Sequence, residues 1–156
     1  MQHDIDIQFA CDDDTPDEES FRRWATAALA EQSHPREMTI RLVNEEEIRQ
    51  LNRDYRGKDY ATNVLSFEVD LPPELDLPLL GDIIICPGVV RREAIEQHKP
   101  LDAHWAHMVI HGTLHLQGYD HINDSDAEVM ESLEIAIMKQ LGYADPYNNG
   151  AQHPNE

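Results

Sequence analysis

The residues of this chain best suited to chemistry lie between positions 101 and 121, a stretch holding five of its nine histidines. His111 and His115 are four apart, so on a helix their side chains stand one turn above each other on one face. Two imidazoles so placed can grip one metal ion. Gly118 follows, the residue type most able to take positive φ just past a helix end, and a reversal there can bring His121 back as a third ligand. Three neutral nitrogen ligands with a fourth position open describe a catalytic zinc site, because structural sites are usually closed by four protein ligands. Such an ion lowers the pKa of bound water to about 7, and the helix C-terminus directs partial negative charge at the cation. Three imidazoles also suit nickel or copper.

The spacing H-x3-H-x2-G-x2-H matches the metzincin protease pattern except at Gly112, where those proteases keep a catalytic glutamate. Glycine cannot accept a proton, so peptide hydrolysis by that route lacks its base. His107 and His104 lie further up the helix from the Gly118 turn and read as packing or pocket-lining residues. Asp120 suits either a base or a group that holds a ligand ring in place.

Between its histidines the stretch is apolar nearly all round (Trp105, Ala106, Met108, Val109, Ile110, Leu114, Leu116), as a helix enclosed by a domain would be. A length of 156 residues fits one such domain, and a hydrophobic fraction of 40% with 28% charged residues is ordinary for a soluble globular protein. There is no apolar run of membrane-spanning length and no basic-plus-apolar leader, and Cys11 and Cys86 are too few for a disulfide framework. These features predict a cytoplasmic chain with reduced thiols.

The elements that position the histidines follow from periodicity. Ile5, Ile7 and Phe9 alternate as a first strand, and Met38, Ile40 and Leu42 as a second. Thr15 and Glu18 form a capping box with Pro16 at the first helical position, predicting a helix from about Pro16 to Gln32 that buries Phe21, Trp24, Ala25, Ala28 and Leu29. Asn44 and Glu47 cap another, with Ile48, Leu51 and Tyr55 on its buried face. Residues 56–62 read as a loop leading into a third strand over 63–69, and the proline-rich residues 70–80 as an irregular crossing loop. Ile83 to Cys86 form a continuous apolar run, as in strands covered on both faces. Asp82 at its start is either turn chemistry or a carboxylate orienting a ligand histidine. A helix from Val89 to about His98 precedes the metal helix. Ser125 and Glu128 cap the last one, whose seam is Met130, Leu133, Ile137 and Leu141. The chain thus divides into one catalytic metal-binding domain, residues 1–142, and a polar, disordered tail, 143–156.

A net charge of -19 argues against a general polyanion binder, since nucleic-acid affinity rests largely on Lys and Arg at phosphates. The charge is nevertheless polarised: six of the eight residues from Asp12 to Glu19 are acidic, whereas four of the twelve Lys and Arg are Arg49, Arg53, Arg56 and Lys58. One face can stay basic on an acidic molecule.

The run from His111 to His121, the upstream His104-Trp-Ala-His-Met, the segment Tyr55-Arg-Gly-Lys-Asp-Tyr-Ala-Thr-Asn-Val-Leu-Ser-Phe67 and Gly81-Asp-Ile together resemble the YbeY family of bacterial endoribonucleases, over nearly the whole chain to Tyr143. The resemblance implies an α+β fold with a mixed four-stranded sheet and a zincin-like metal helix, and one zinc ion on His111, His115 and His121. It implies a hydrolase acting on single-stranded RNA in 16S rRNA 3′-end maturation, ribosome assembly and quality control, with the small ribosomal subunit and assembly proteins as partners and neither DNA nor membrane among them. Arg56 takes the place of the family's functional arginine, and its planar guanidinium suits charge developing on a phosphate. The alternative is a ribosome-assembly binding protein whose zinc is mainly structural and whose cleavage depends on a partner.

Overall fold

A computed structural model describes residues 2–69, 72, 75, 77–119 and 123–147. The alternating runs form β1 (Asp4–Phe9) and β2 (Glu37–Leu42), which pair in parallel with Ile5 beside Met38 and Ile7 beside Ile40. β4 (Leu79–Ile85) joins β2 in parallel, and β3 (Val64–Glu68) runs antiparallel to β4, giving the order β1-β2-β4-β3. Around this mixed sheet lie α1 (Glu18–Ala28), α2 (Glu45–Arg56), α3 (Pro87–Glu96), α4 (Leu101–Leu116) and α5 (Asp124–Gln140), an α+β fold.

The apolar run on β4 is buried on both faces, as expected. Ile83 and Ile85 belong to the main core with Phe21, Trp24, Trp105, Ile110 and Met130, while Ile84 and Cys86 face a smaller core with Ile48 and Leu65. α4 is the enclosed helix its composition predicts, packed against α1, α3, α5, β3 and β4. No helix among the described residues is long and apolar enough to cross a membrane.

Two glycines set the distances that the site depends on. A Cβ at Gly112 would lie 3.0 Å from Ile83 Cγ2 and 3.3 Å from Val64 Cγ2. The missing side chain therefore lets α4 settle onto β3 and β4, where Ser66 Oγ donates to the Gly112 carbonyl at 3.3 Å. Gly81 has φ +140, and a Cβ there would overlap the Phe67 carbonyl oxygen of the paired strand. Gly81→Ala is expected to disrupt the β3–β4 pairing and cost several kcal/mol, because the clash is with backbone and the conformation is strained for an L-residue. Urea unfolding measures it; a loss below about 1 kcal/mol would mean that β3 can shift without penalty.

Several boundaries differ from the sequence reading. The α1 N-cap is Asp17, whose carboxylate accepts from Ser20 N–H at 2.9 Å, rather than Thr15, and the helix ends at Ala28 with Leu29 as its C-cap. α5 is capped by Asn123, which accepts from Asp126 N–H, rather than by Ser125. The Asn44 cap is as expected, accepting from Glu47 N–H at 2.8 Å. On α2, however, Tyr55 is 70% exposed, and Asn52 is buried instead with its Nδ2 donating to the Tyr60 carbonyl at 3.0 Å. The helix runs to Arg56 before Gly57 caps it, so Arg56 sits in a last helical turn and not in a loop. β4 begins at Leu79, which takes the end of the expected crossing loop into the sheet.

Glu93 ties α3 to the site. It accepts from His104 Nε2 at 2.9 Å and from Asn63 Nδ2 at 3.1 and 3.2 Å. Burial pushes its carboxyl up, but the hydrogen bonds from His104 and Asn63 and the nearby positive charge outweigh this, and it lies below the ordinary value of 4.5. A depressed folded-state pKa contributes stability above the unfolded value that is lost as pH falls through the folded one. The stability gap between wild type and Glu93→Gln should therefore be full at pH 7 and narrow below about 4.5. Urea unfolding across that range tests it, and a gap that stays constant would contradict it.

Candidate functional site

The end of α4 is built as the glycine spacing predicts. Gly118, at φ +97, follows the C-cap Gln117, with Gly118 N–H on the His115 carbonyl at 3.0 Å and Tyr119 N–H on the Leu114 carbonyl at 3.2 Å. This pair of reversed bonds is a Schellman turn, which satisfies the last carbonyls of the helix. Gln117 anchors it, donating to the Ala28 carbonyl at 2.7 Å and accepting from Gln32 Nε2 at 2.7 Å. Asp120 and His121 lie outside the described residues, as does His153.

His111 and His115 stand edge to face on α4 with ring centroids 4.9 Å apart. Both line a cleft of about 590 Å³ together with Tyr55, Arg56, Tyr60 and β3 residues Val64 to Phe67. Arg56, named from the sequence, thus reaches the same cavity as two of the three expected ligands. Its position at the C-terminal end of α2 suits a cation, and among the described residues it makes no ion pair. Of its basic neighbours, Arg49 is committed to Asp59 through bonds of 2.8 and 3.2 Å, and Arg53 lies 3.5 Å from Asp54. A second cavity of about 130 Å³ behind α4, lined by Lys99, His104, His107 and Asp145 among others, falls below the 300 to 1,000 Å³ or so typical of ligand pockets.

On its other side His111 meets groups that the sequence reading passed over. His111 Nδ1 lies 2.5 Å from Glu134 Oε2 on α5. Glu134 is fully buried and also accepts from His107 Nε2 at 3.4 Å and from the Tyr147 hydroxyl. Burial disfavours charge on Glu134, yet the hydrogen bonds from the two imidazoles overcome it and hold the carboxyl at about 2. Burial lowers His107 despite its carboxylate partner, so that ring is neutral at pH 7. Burial and the Glu134 carboxylate raise the Tyr147 phenol well above its ordinary range, which keeps it a donor. The donor atoms of His107, His111 and Glu134 lie within 4.8 Å of one another, so this buried cluster could hold a metal ion.

Asp82, suggested as the carboxylate orienting a ligand, is exposed on β4. The carboxylate that lies against His111 is Glu134. A signal for it exists: Glu134 falls four residues after Met130 and four before Met138, on the buried row of α5, where an unpaired carboxylate would be costly. The beginning of the expected tail is also packed. Lys99 Nζ donates to the Pro146 carbonyl at 2.7 Å, and Tyr147 reaches Glu134, while residues 148–156 lie outside the described residues.

A small α+β domain thus carries a histidine pair on its core helix and an arginine lining the same cleft. The profile of Endoribonuclease YbeY matches residues 6–142. The chain is 61% identical over 145 residues to Endoribonuclease YbeY of Pseudomonas putida, covering 92% of each protein. It is 56% identical to that of Pseudomonas syringae pv. tomato, covering 97% of this chain and 93% of the relative. The solution structure of TM1509 from Thermotoga maritima superimposes with a TM-score of 0.59 at 25% identity, covering 88% of this chain and 91% of that one. The chain belongs to the YbeY family.

Proposed function

We propose that the protein is a zinc-dependent endoribonuclease that cuts single-stranded RNA in the cleft between α2, β3 and α4, acting in 16S rRNA 3′-end maturation and ribosome quality control. The observation that carries the reading is the convergence of Arg56, His111 and His115 on one cavity. Membership of a family whose relatives bear the name endoribonuclease supports the substrate class.

The donor set fits the metal. Imidazoles one turn apart, one of them with its Nδ1 on a carboxylate, are the arrangement in which a neutral ring offers its remaining nitrogen to an ion. His111, His115 and, by the family match, His121 would hold it. When bound, zinc supplies Lewis-acid stabilisation of a phosphodiester oxygen. Arg56 binds the phosphate and neutralises the charge that develops on it, with a fork matched to two of its oxygens. Tyr55 and Tyr60, 70% and 51% exposed at the cleft, offer rings to unstacked bases, which a duplex does not present.

Two unpaired cysteines suit a cytoplasmic location. An acidic chain with one basic segment suits docking between RNA and basic ribosomal proteins of the small subunit and its assembly factors. The test is cleavage of a single-stranded rRNA fragment after chelator treatment and repletion. Activity should vanish with the metal and return with zinc, and activity that survives complete metal removal would defeat the reading.

A further inference from the structure

The Glu134 carboxylate sits where a buried charge is expensive. An isolated ionised carboxylate in a protein interior is strongly disfavoured unless its oxygens are satisfied, and Glu134 is 0% exposed. Its oxygens divide their partners: Oε2 takes His111 Nδ1, and Oε1 takes His107 Nε2 and the Tyr147 hydroxyl. An imidazole that donates through Nδ1 carries its lone pair on Nε2, the only form in which that nitrogen can ligate. His111 is also the ring that lines the cleft, with its side chain 23% exposed while the carboxylate behind it is sealed.

We propose that Glu134 is the positioning residue of the metal centre: it fixes the tautomer and orientation of His111 through Nδ1 so that Nε2 meets the ion, with Tyr147 and His107 holding the carboxylate in place. The inference rests on the reading that His111 and His115 share one ion. It assigns the His107, His111 and Glu134 cluster an orienting role instead of a ligating one. Both carboxylate oxygens are already engaged by donors, Oε2 by His111 Nδ1 and Oε1 by His107 Nε2 and the Tyr147 hydroxyl. Carboxylates behind ligand histidines raise ring basicity, and their loss typically weakens metal affinity roughly 10- to 100-fold. The segment after α5 thereby becomes part of the site through Tyr147.

The experiment is a zinc competition titration of full-length wild type, Glu134→Gln, Tyr147→Phe and His115→Ala against a chromophoric chelator. Long-range 1H–15N NMR of zinc-loaded wild type accompanies it. Glu134→Gln should bind zinc roughly 10- to 100-fold more weakly, and its cobalt(II) form should show an altered visible spectrum. Tyr147→Phe should show a smaller loss in the same direction, and His115→Ala should lose tight binding. The NMR spectrum should report His111 protonated on Nδ1 and metal-shifted on Nε2. If His115→Ala loses zinc but Glu134→Gln and Tyr147→Phe bind it as wild type does, Glu134 does not position the site and the shared-ion reading stands. If His115→Ala keeps tight binding, the shared-ion reading itself fails, and a complete loss in Glu134→Gln alongside it makes the buried cluster the ligand set. Should Glu134→Gln fail to fold, the wild-type NMR decides: His111 ligated through Nδ1 overturns the proposal.

Discussion

Gly112→Glu, which would turn His111-Gly-Thr-Leu-His115 into a protease-like H-E-x-x-H, is expected to unfold the protein and to create no peptidase. The first atom of any side chain at 112 meets Ile83 Cγ2 at 3.0 Å and Val64 Cγ2 at 3.3 Å. Ile83 is 0% exposed in the main core and cannot withdraw. Overpacking of this kind typically costs about 1–3 kcal/mol, and a buried carboxylate without a partner adds several more. Together these approach the whole stability of a small domain, about 5–15 kcal/mol. Gly112→Ala is the milder version: about 1 kcal/mol of helix propensity is gained against the same first contact, and the net should still be a loss. Urea and thermal unfolding check both. A Gly112→Glu protein as stable as wild type would mean that α4 is not seated on β3 and β4 through Gly112.

Arg56→Ala is expected to lower single-strand RNA cleavage by about 10²–10³-fold, the usual cost of removing one donor from a developing oxyanion, while zinc content and melting temperature stay at wild-type values. The side chain is exposed at the cleft and makes no ion pair among the described residues, so its removal disturbs no packing. Arg56→Lys should recover only part of the rate, since an ammonium restores charge without the two-pronged fork. Full activity in Arg56→Ala would remove the residue from the mechanism.

What could be seen beforehand follows from what periodicity can carry. The four-residue step from His111 to His115 and the glycine three beyond define a helix end, and the Schellman turn at Gly118 is its consequence. The apolar run Ile83 to Cys86, largely β-branched and closed by Pro87, suited a strand covered on both faces, and its side chains divide between the two cores. Helix ends were less legible, since neighbouring residues compete to cap. Thr15 and Asp17, or Asn123 and Ser125, are chemically equivalent until the first turn chooses. Tyr55 has a buried residue's spacing but sits over the cleft, stacked edge to face on Phe67 with centroids 5.4 Å apart. Glu134 was the harder omission. Its place on the α5 seam was readable, but its partners His107, His111 and Tyr147 come from 27, 23 and 13 residues away, and only the tertiary fold brings them together.

If one metal ion on His111, His115 and His121 makes this cleft cut RNA, metal and cleavage must be lost together. The most direct measurement is cleavage of a single-stranded rRNA fragment by metal-quantified wild type and His115→Ala, purified identically and free of contaminating ribonuclease. About one zinc per wild-type chain is expected together with cleavage, and neither in His115→Ala at unchanged helical content. Equal cleavage by the two proteins, or cleavage by neither, would contradict it and favour an assembly protein whose cutting depends on a partner.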